Sequence, residues 1–214
     1  MKKILSLILG IVCLCSVQSA KAQSFALRTN AAEWLVCAPN IGIDFVLNEY
    51  LSFNVNLIGT VPGVGSFEGF PSYIRHTEIM AGQVEMRYWF SHQPYENFFI
   101  GLQATPLHYN MRLNHGMNLL NKATNKTEYK KVKVMHDGVA LPVGFNFGYS
   151  LPLNHKLSVE FCYGAGWIFS NNQCSVRNGS ELSKKGYSYR GPEVSHNCDF
   201  STTNVGVNIT YILK

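Results

Sequence analysis

The sequence lacks the long apolar runs and the helical periodicity of a helical membrane protein. No segment of useful length repeats its apolar residues every 3.6 positions, so we expect almost no helix. Hydrophobic residues make up 46% of the 214 residues and the mean hydropathy is near zero. These values fit neither a helical membrane protein nor a disordered chain. The length predicts one domain.

Motifs of common catalytic and metal sites are also missing. The chain contains no H-E-x-x-H, no G-x-S-x-G and no C-x-x-C, which disfavours a zinc protease, a serine hydrolase and a zinc site. Six of the seven histidines fall in predicted loops or turns, and His108 falls at the end of the fifth predicted strand. We therefore expect no catalytic residues, no metal and no cofactor.

Little excess positive charge remains once the N-terminus is set aside. Residues 1–22 combine Lys2 and Lys3 with an apolar run and the triplet Ala20-Lys21-Ala22, the pattern of a cleaved signal peptide. A retained anchor helix is the alternative, although the run is short for a membrane span. Removing three lysines from the 18 basic residues leaves 15 against 13 acidic ones, a net charge of +2 instead of +5. This charge gives no support for nucleic-acid binding.

What the sequence does contain is alternation with a period of two, which predicts β-strands with unlike faces. The segment Gly138 to Ser150, GVALPVGFNFGYS, carries large apolar residues at every second position. Seven further segments alternate in the same way, with large apolar residues from Phe25 to Leu27, Ile41 to Leu47, Leu51 to Leu57, Met80 to Phe90, Phe98 to Leu102, Leu157 to Phe169 and Val205 to Leu213.

The two faces of these strands differ in charge. The polar series contains Arg28, Asp44, Glu85, Arg87 and Glu160, whereas the apolar series has no charge within the strand cores. A charge on a lipid-facing strand position costs about 2–4 kcal/mol at the bilayer midplane. We therefore predict that the large residues face lipid and the polar ones face inward. A soluble lipocalin-like barrel, with the faces inverted, would expose eight apolar stripes to water.

The connections alternate between short and long. The short ones lie around Asn48-Glu49, at Ser91 to Asn97 and at Ser150 to His155, and the long ones at Val61 to Thr77, Met111 to Asp137 and Ser170 to Asp199. This layout is typical of outer-membrane barrels, whose short turns are periplasmic. We predict an all-β fold: an eight-stranded antiparallel up-and-down transmembrane β-barrel over residues 23–214, monomeric, with long extracellular loops.

An eight-stranded barrel has an interior just wide enough for its own side chains. We expect the five inward charges to form an internal network of ion pairs and hydrogen bonds, because buried charges must be paired. A proton or ion path gated by those pairs is the alternative, and with it a narrow channel.

Four cysteines lie beyond the signal peptide, in an oxidising compartment. Cys162 points inward and is expected to stay reduced. Cys174 and Cys198 share the last predicted loop and form the candidate disulfide, which would contribute on the order of 3 kcal/mol. Cys37 is the competing partner, because the first and last strands of a closed barrel are neighbours.

The third predicted loop is basic. Its cationic residues are Arg112, Lys122, Lys126, Lys130, Lys131 and Lys133, against Glu128 and Asp137. Such a loop can hold the phosphates of lipopolysaccharide or an acidic surface partner. An ordinary solvated loop is the alternative.

Several segments carry a family resemblance: ALRTNAAEW (Ala26 to Trp34), PNIGIDF (Pro39 to Phe45), VEMRYWF (Val84 to Phe90), FFIGLQ (Phe98 to Gln103) and the stretch from Pro142 to Phe169. Together they resemble an uncharacterised family of Bacteroidota outer-membrane β-barrels, a domain of unknown function, and more distantly the outer-membrane protein A barrel. Members of that family are often encoded beside fimbria-type genes.

The resemblance implies a non-enzymatic protein of the bacterial outer membrane with a structural, adhesive or fimbria-like assembly role. Its expected partners are outer-membrane lipid, lipopolysaccharide and a surface or fimbrial protein, with no nucleic acid. The alternatives are an outer-membrane enzyme that modifies lipids and a narrow channel. The enzyme is disfavoured because no Ser and His pair was found on the outward face.

Overall fold

The alternating segments form a closed eight-stranded antiparallel barrel, as predicted. The computed structural model describes residues 24–35, 37–60, 77–122, 124–176, 187–188 and 193–213. Its strands are β1 (Phe25–Asn30), β2 (Asn40–Val46), β3 (Leu51–Gly59), β4 (Thr77–Trp89), β5 (Asn97–Ala104), β6 (Leu107–Asn121), β7 (Lys126–Pro152), β8 (Leu157–Val176), β9 (Tyr187–Ser188) and β10 (Glu193–Ile212). One short helix, α1 (Ala31–Leu35), follows β1. Almost no helix is present in these residues, and none of it is long and apolar enough to cross a membrane.

Neighbouring strands pair antiparallel around the barrel, and β1 pairs with β10 to close it. β5 and β6 together make the fifth barrel strand, because both lie between β4 and β7. β8 then pairs with both β7 and β10, and the two-residue β9 pairs with the end of β6. Nine of the ten strands thus build the eight barrel strands, and β9 is an addition to the end of β6.

The break between β5 and β6 falls at Thr105 and Pro106, opposite Leu141 and Pro142 of β7. Neither proline has an N–H group to give to a ladder. One bond bridges the break, from the N–H of Thr105 to the carbonyl oxygen of Pro142 at 2.9 Å. Pro106 therefore marks the break between two strands, whereas Pro142 lies inside β7.

The barrel has the predicted polarity: polar side chains are buried inside and large apolar ones are exposed outside. Asp44, Glu85 and Glu160 are at most 2% exposed, whereas Phe147 and Trp167 are about half exposed. This is the reverse of the usual arrangement in a soluble protein.

The three short turns at 47–50, 90–96 and 153–156 lie at one end of the barrel, which we call the short-turn end. At the other end the prediction of long loops is wrong for Met111 to Asp137 and largely wrong for Ser170 to Asp199. β6 and β7 stay paired up to Asn121 and Lys126, and β8 and β10 stay paired up to Cys174 and Glu193.

We call this region of β6, β7, β8 and β10, residues 107–121, 126–140, 170–176 and 193–202, the extended sheet. The positions that continue the outer face are mostly polar, such as Asn110, Arg112, Lys131 and Lys133, so the apolar alternation of the outer wall did not reveal these strands. Leu119, Val132 and Val134 form a small buried cluster on one side of it. The signal-peptide prediction for residues 1–22 and most of the predicted loop Val61 to Thr77 lie outside the described residues.

Candidate functional site

The structure brings the five predicted interior charges into one network. Arg28 donates to Glu160 and lies 3.7 Å from both Asp44 and Glu85. Arg87 donates to Glu85 at 2.5 Å and to Glu160 at 3.1 Å. These side chains come from β1, β2, β4 and β8, so the network ties opposite walls of the barrel together.

Amide and hydroxyl groups complete parts of this network. The Asn146 amide donates to Glu85 at 2.7 Å, and the Thr210 hydroxyl donates to Glu160 at 3.4 Å. Both carboxylate oxygens of Asp44 have no hydrogen-bond partner among the described residues, so Arg28 is its nearest source of compensation. Three carboxylates facing two guanidinium groups form a structural network whose members depend strongly on each other.

Aromatic rings fill the barrel on the short-turn side of the network. The ring of Trp89 lies 4.9 Å from that of Phe99 and 5.7 Å from that of Tyr95, and its indole N–H donates to Ser52 at 2.9 Å. The guanidinium of Arg87 lies 4.6 Å from the centre of the Phe99 ring, within the range of a cation–π contact. The rings therefore seal this end and contact the ion network directly.

Sequence analysis missed Trp89 and Phe99 as interior residues, because it assigned only small and polar side chains to the inside. The signal was present. Trp89 follows Glu85 and Arg87 at two-residue spacing, and Phe99 precedes Gln103 by four. Strand periodicity alone places them on the inner face.

On the other side of the network lies a layer of amides. Gln83 donates to Gln103 at 2.8 Å, and Gln103 donates to Thr203 at 2.9 Å. Between this layer and the arginines is a cavity of about 10 Å³, which is room for about one water molecule. The described lumen is therefore filled by side chains.

The candidate disulfide between Cys174 and Cys198 is wrong for this structure. Cys174 pairs across the ladder with Glu193, and Cys198 with Phe169, so the two cysteines are offset by five positions, or about 17 Å at the rise of a strand. A disulfide requires Cα atoms within about 7 Å. Cys174 and Cys198 are free thiols. The thiol of Cys162 lies buried in the barrel, near the carbonyl oxygen of Gly206.

The six predicted cationic residues lie on the β6–β7 hairpin, but they do not form one cluster. Lys122 and Lys126 are at its tip. Lys130 pairs with Glu128 at 3.1 Å. Strand alternation places Lys131 and Lys133 on the opposite face of β7 from Lys130, together with Tyr129, which is 68% exposed.

The outer wall of the barrel carries a concave groove of about 720 Å³ at the level where the extended sheet begins. We call it the outer groove. It is lined by Pro106, Leu107, His108, Val139, Ala140, Leu141, Phe169, Ser170, Asn171, His196 and Asn197. These residues come from β6, β7, β8, β10 and the break that precedes β6.

His108 and Asp137 lie side by side at the edge of the outer groove. The Nε2 atom of His108 lies 3.1 Å from Oδ1 of Asp137, without the geometry of a hydrogen bond, and both side chains are about half exposed. His108 pairs across strands with Met80 and Val139, which are exposed on the outer face, so His108 also faces outward.

Sequence analysis placed His108 at a strand end and found no histidine in phase on the outer face. That statement is wrong, because His108 keeps the even-numbered phase of Phe98, Ile100 and Leu102 across the break at Pro106. No group of three His, Cys, Asp or Glu side chains that could hold a metal ion occurs in the part of the chain that the structure describes.

Comparison with known families gives one match. A family model described as protein of unknown function (DUF3575) matches residues 7–213, and thus all ten strands. This agrees with the resemblance to a domain of unknown function. No curated protein and no solved structure matches the chain.

Proposed function

The chain belongs to the DUF3575 family, and we propose that it is a non-enzymatic β-barrel of the bacterial outer membrane whose extended sheet has a structural, adhesive or fimbria-like assembly role. The observation that carries the proposal is the reversed polarity of a closed barrel. Only a barrel whose outer wall meets lipid is stabilised by large apolar residues outside and by charges inside.

The height of the apolar wall fits a bilayer. On β7 the outward apolar residues run from Val139 to Leu151, which is about 41 Å along the strand, or about 30 Å along the axis of a barrel with strands tilted by about 40°. Aromatic pairs lie near both limits of this wall. Phe98 and Tyr149 are 4.7 Å apart near the short-turn end, and Trp167 and Phe200 are 5.1 Å apart nearer the extended sheet.

This placement orients the molecule. Short turns of outer-membrane barrels face the periplasm, so the extended sheet would stand outside the cell. Its hairpin presents exposed Tyr129 with Lys131 and Lys133 on the same face, and tyrosine is enriched at protein interfaces. The filled lumen argues against the channel alternative, which leaves the extended sheet as the region that would meet a partner.

The enzyme alternative gains one observation. A histidine beside a carboxylate at an apolar groove is a candidate general base, and His108, 3.1 Å from Asp137, has these neighbours. A lipid-modifying activity through His108 predicts that the wild type releases fatty acid from radiolabelled lipid A and that His108→Ala does not. No release by the wild type would remove this alternative, and equal release by the two proteins would show that His108 does not catalyse it.

Cell fractionation and photo-crosslinking test the main proposal. We expect the protein in the outer-membrane fraction of a density gradient; recovery in the cytoplasmic or inner-membrane fraction would overturn the placement. With a photo-crosslinking amino acid at Tyr129, irradiation of living cells should attach a discrete surface protein. The same amino acid at Glu49, in a short turn, is the matched control and should not capture that protein. Capture by both positions or by neither would overturn the assigned role of the extended sheet.

A further inference from the structure

We propose that the outer groove binds one phosphorylated lipid of the outer leaflet, with an acyl chain on its apolar floor and the phosphate held by cationic side chains farther along β6 and β7. This inference rests on the proposed outer-membrane placement and gives a ligand to one region of that barrel.

The shape of the groove is the first observation. The outer wall of a barrel is ordinarily convex, yet here four neighbouring barrel strands line a concavity of about 720 Å³. That volume lies in the range of small-molecule pockets, roughly 300–1,000 Å³. Beside the groove, Gly138 lets the phenol of Tyr109 pack against the backbone of β7, since a Cβ atom there would lie 2.9 Å from the phenol oxygen.

The floor of the groove is apolar and bare. Val139, Leu141 and Phe169 are between 40% and 52% exposed. They stand at the upper limit of the apolar wall, where the sequence of the outer face changes from apolar to polar. An acyl chain is the ligand that such a floor desolvates most favourably, because the gain is proportional to the apolar area removed from water.

Cationic residues continue the same face beyond the groove. Arg112 lies four residues after His108 on β6, opposite Met135 of β7, and alternation places it on the outer face. Lys131 is eight residues before Val139 on β7, so alternation places it on the same outer face. None of the ion pairs found among the described residues involves Arg112 or Lys131.

Two carboxylates share this outer face: Asp137 on β7, which lies 3.1 Å from His108, and exposed Glu78 on β4, which pairs across the strands with Asn110 and is diagonal to Arg112. Arg112, Lys131 and Lys133 outnumber them by one, so the net charge of the face is positive. It suits a phosphate, which accepts charge-assisted hydrogen bonds from arginine and lysine.

The spacing also fits a lipid. Four residues of strand separate Arg112 from His108, about 14 Å along the strand or about 10 Å along the barrel axis. Apolar floor and cations therefore follow each other along the direction in which a lipid stands in a leaflet. A protein partner would not need apolar and cationic residues to follow each other along the barrel axis. A free phosphate would not contact the apolar floor of the groove.

Native mass spectrometry of the full-length protein in detergent, titrated with purified lipid A, tests the proposal. We expect retained lipid A on the wild type and weaker binding, on the order of tenfold, for Arg112→Gln with Lys131→Gln. Lys122→Gln with Lys156→Gln is the matched control, because it removes the same charge at the hairpin tip and in a short turn. Its affinity should equal that of the wild type.

A second variant tests the floor without changing charge. Val139→Trp should fill the groove and weaken binding of lipid A, whereas Leu151→Trp, on the outer face at the short-turn end, should not. Dephosphorylated lipid A should bind the wild type as weakly as lipid A binds the double glutamine variant. A heat-modifiability gel confirms that each variant is folded.

Two binding results would overturn the inference: equal binding by the double glutamine variant and its control, or equal binding of phosphorylated and dephosphorylated lipid A. A third would be the capture of a protein instead of a lipid by a photo-crosslinking amino acid placed at Val139. These failures are distinguishable from failure of the proposed function. If only the lipid inference fails, the protein still fractionates with the outer membrane. If the proposed function fails, it does not.

Discussion

The barrel interior and the extended sheet use the same residue types in opposite ways. Glu160 is fully buried and serves two arginines, whereas Glu128 is about one-third exposed, pairs with Lys130 and accepts a hydrogen bond from Asn121. Charges inside the barrel hold its walls together, and charges on the extended sheet remain accessible. The comparison teaches that the buried charges of this molecule are architectural, whereas the exposed ones have the accessibility that the proposed recognition requires.

The largest expected effect comes from breaking the interior network. Glu160→Gln leaves two buried guanidinium groups short of a carboxylate, and such a loss costs about 3–5 kcal/mol of unfolding free energy. The matched change Glu128→Gln removes an exposed pair and should cost at most about 1 kcal/mol. Urea unfolding in detergent micelles, followed by tryptophan fluorescence, measures both. Similar costs for the two variants would contradict the comparison.

A smaller loss is expected from crowding the aromatic layer. A Cβ atom at position 148 would lie inside van der Waals contact with the ring of Phe99 and 2.7 Å from the carbonyl oxygen of Phe161. Gly148→Ala should therefore destabilise by about 1–3 kcal/mol. Gly59→Ala is the control, since the nearest atom to its Cβ would be 4.0 Å away. Adding Phe99→Leu to Gly148→Ala should recover part of the loss; full additivity would show that the ring is not the cause.

Glu33 of α1, between the two regions, makes stability depend on pH. Burial, only partly offset by the hydrogen bond from Asn30, raises the pKa of the Glu33 carboxyl to about 6 from an ordinary value of 4.5. The folded protein therefore binds this proton more tightly than the unfolded chain does. The resulting stability is fully present below pH 4.5 and is lost as the pH rises through about 6.

Glu33→Gln should reduce the dependence of the melting temperature on pH between pH 4.5 and 6.5, while Glu49→Gln, in an exposed turn, should leave the wild-type slope unchanged. Melting curves at half-unit pH steps provide the measurement. A slope in Glu33→Gln as steep as that of the wild type would show that Glu33 does not contribute.

The smallest expected effect is on ion conduction. Because the lumen leaves only about 10 Å³ near the arginines, the wild type should carry no steady current in a planar bilayer. Replacing Glu85 and Arg87 together with alanine should change stability and not conductance. A steady current whose size changes in this double variant would restore the channel alternative.

Alternation was sufficient to predict the eight strands, their inward and outward faces and the short turns, because one wall of the barrel is uniformly apolar. It failed where the outer face becomes polar: Met111 to Asp137 reads as a loop, yet its backbone groups pair as a hairpin. Alternation also does not reveal which residues of two paired strands lie opposite each other. For this reason Cys174 and Cys198 seemed suited to a disulfide, although they lie five positions apart along the β8–β10 ladder.

The outer groove could be predicted only in part. Strand alternation alone places His108 on the outer face. The concave shape of the groove could not be predicted, because it depends on how β6, β7, β8 and β10 pack together. Trp89 teaches a related lesson, since only small and polar side chains were expected inside, whereas the phase of this large residue places it there.

The side chain of Asn30, the last residue of β1, has a consequence for barrel closure. β1 pairs with β10 at five residues, whereas β8 pairs with β10 at 18. Beyond that short seam, the Asn30 amide donates to the carbonyl oxygen of Val205 at 3.5 Å, and its oxygen accepts from the N–H of Val207 at 3.2 Å.

The amide thus extends the ladder by one step in a single alignment only. A slip of one residue would break both contacts and would turn every side chain of β1 to the wrong face. Asn30 therefore adds to the stability of the observed register of β1 against β10, in which Arg28 lies beside Asp44, Glu85 and Glu160.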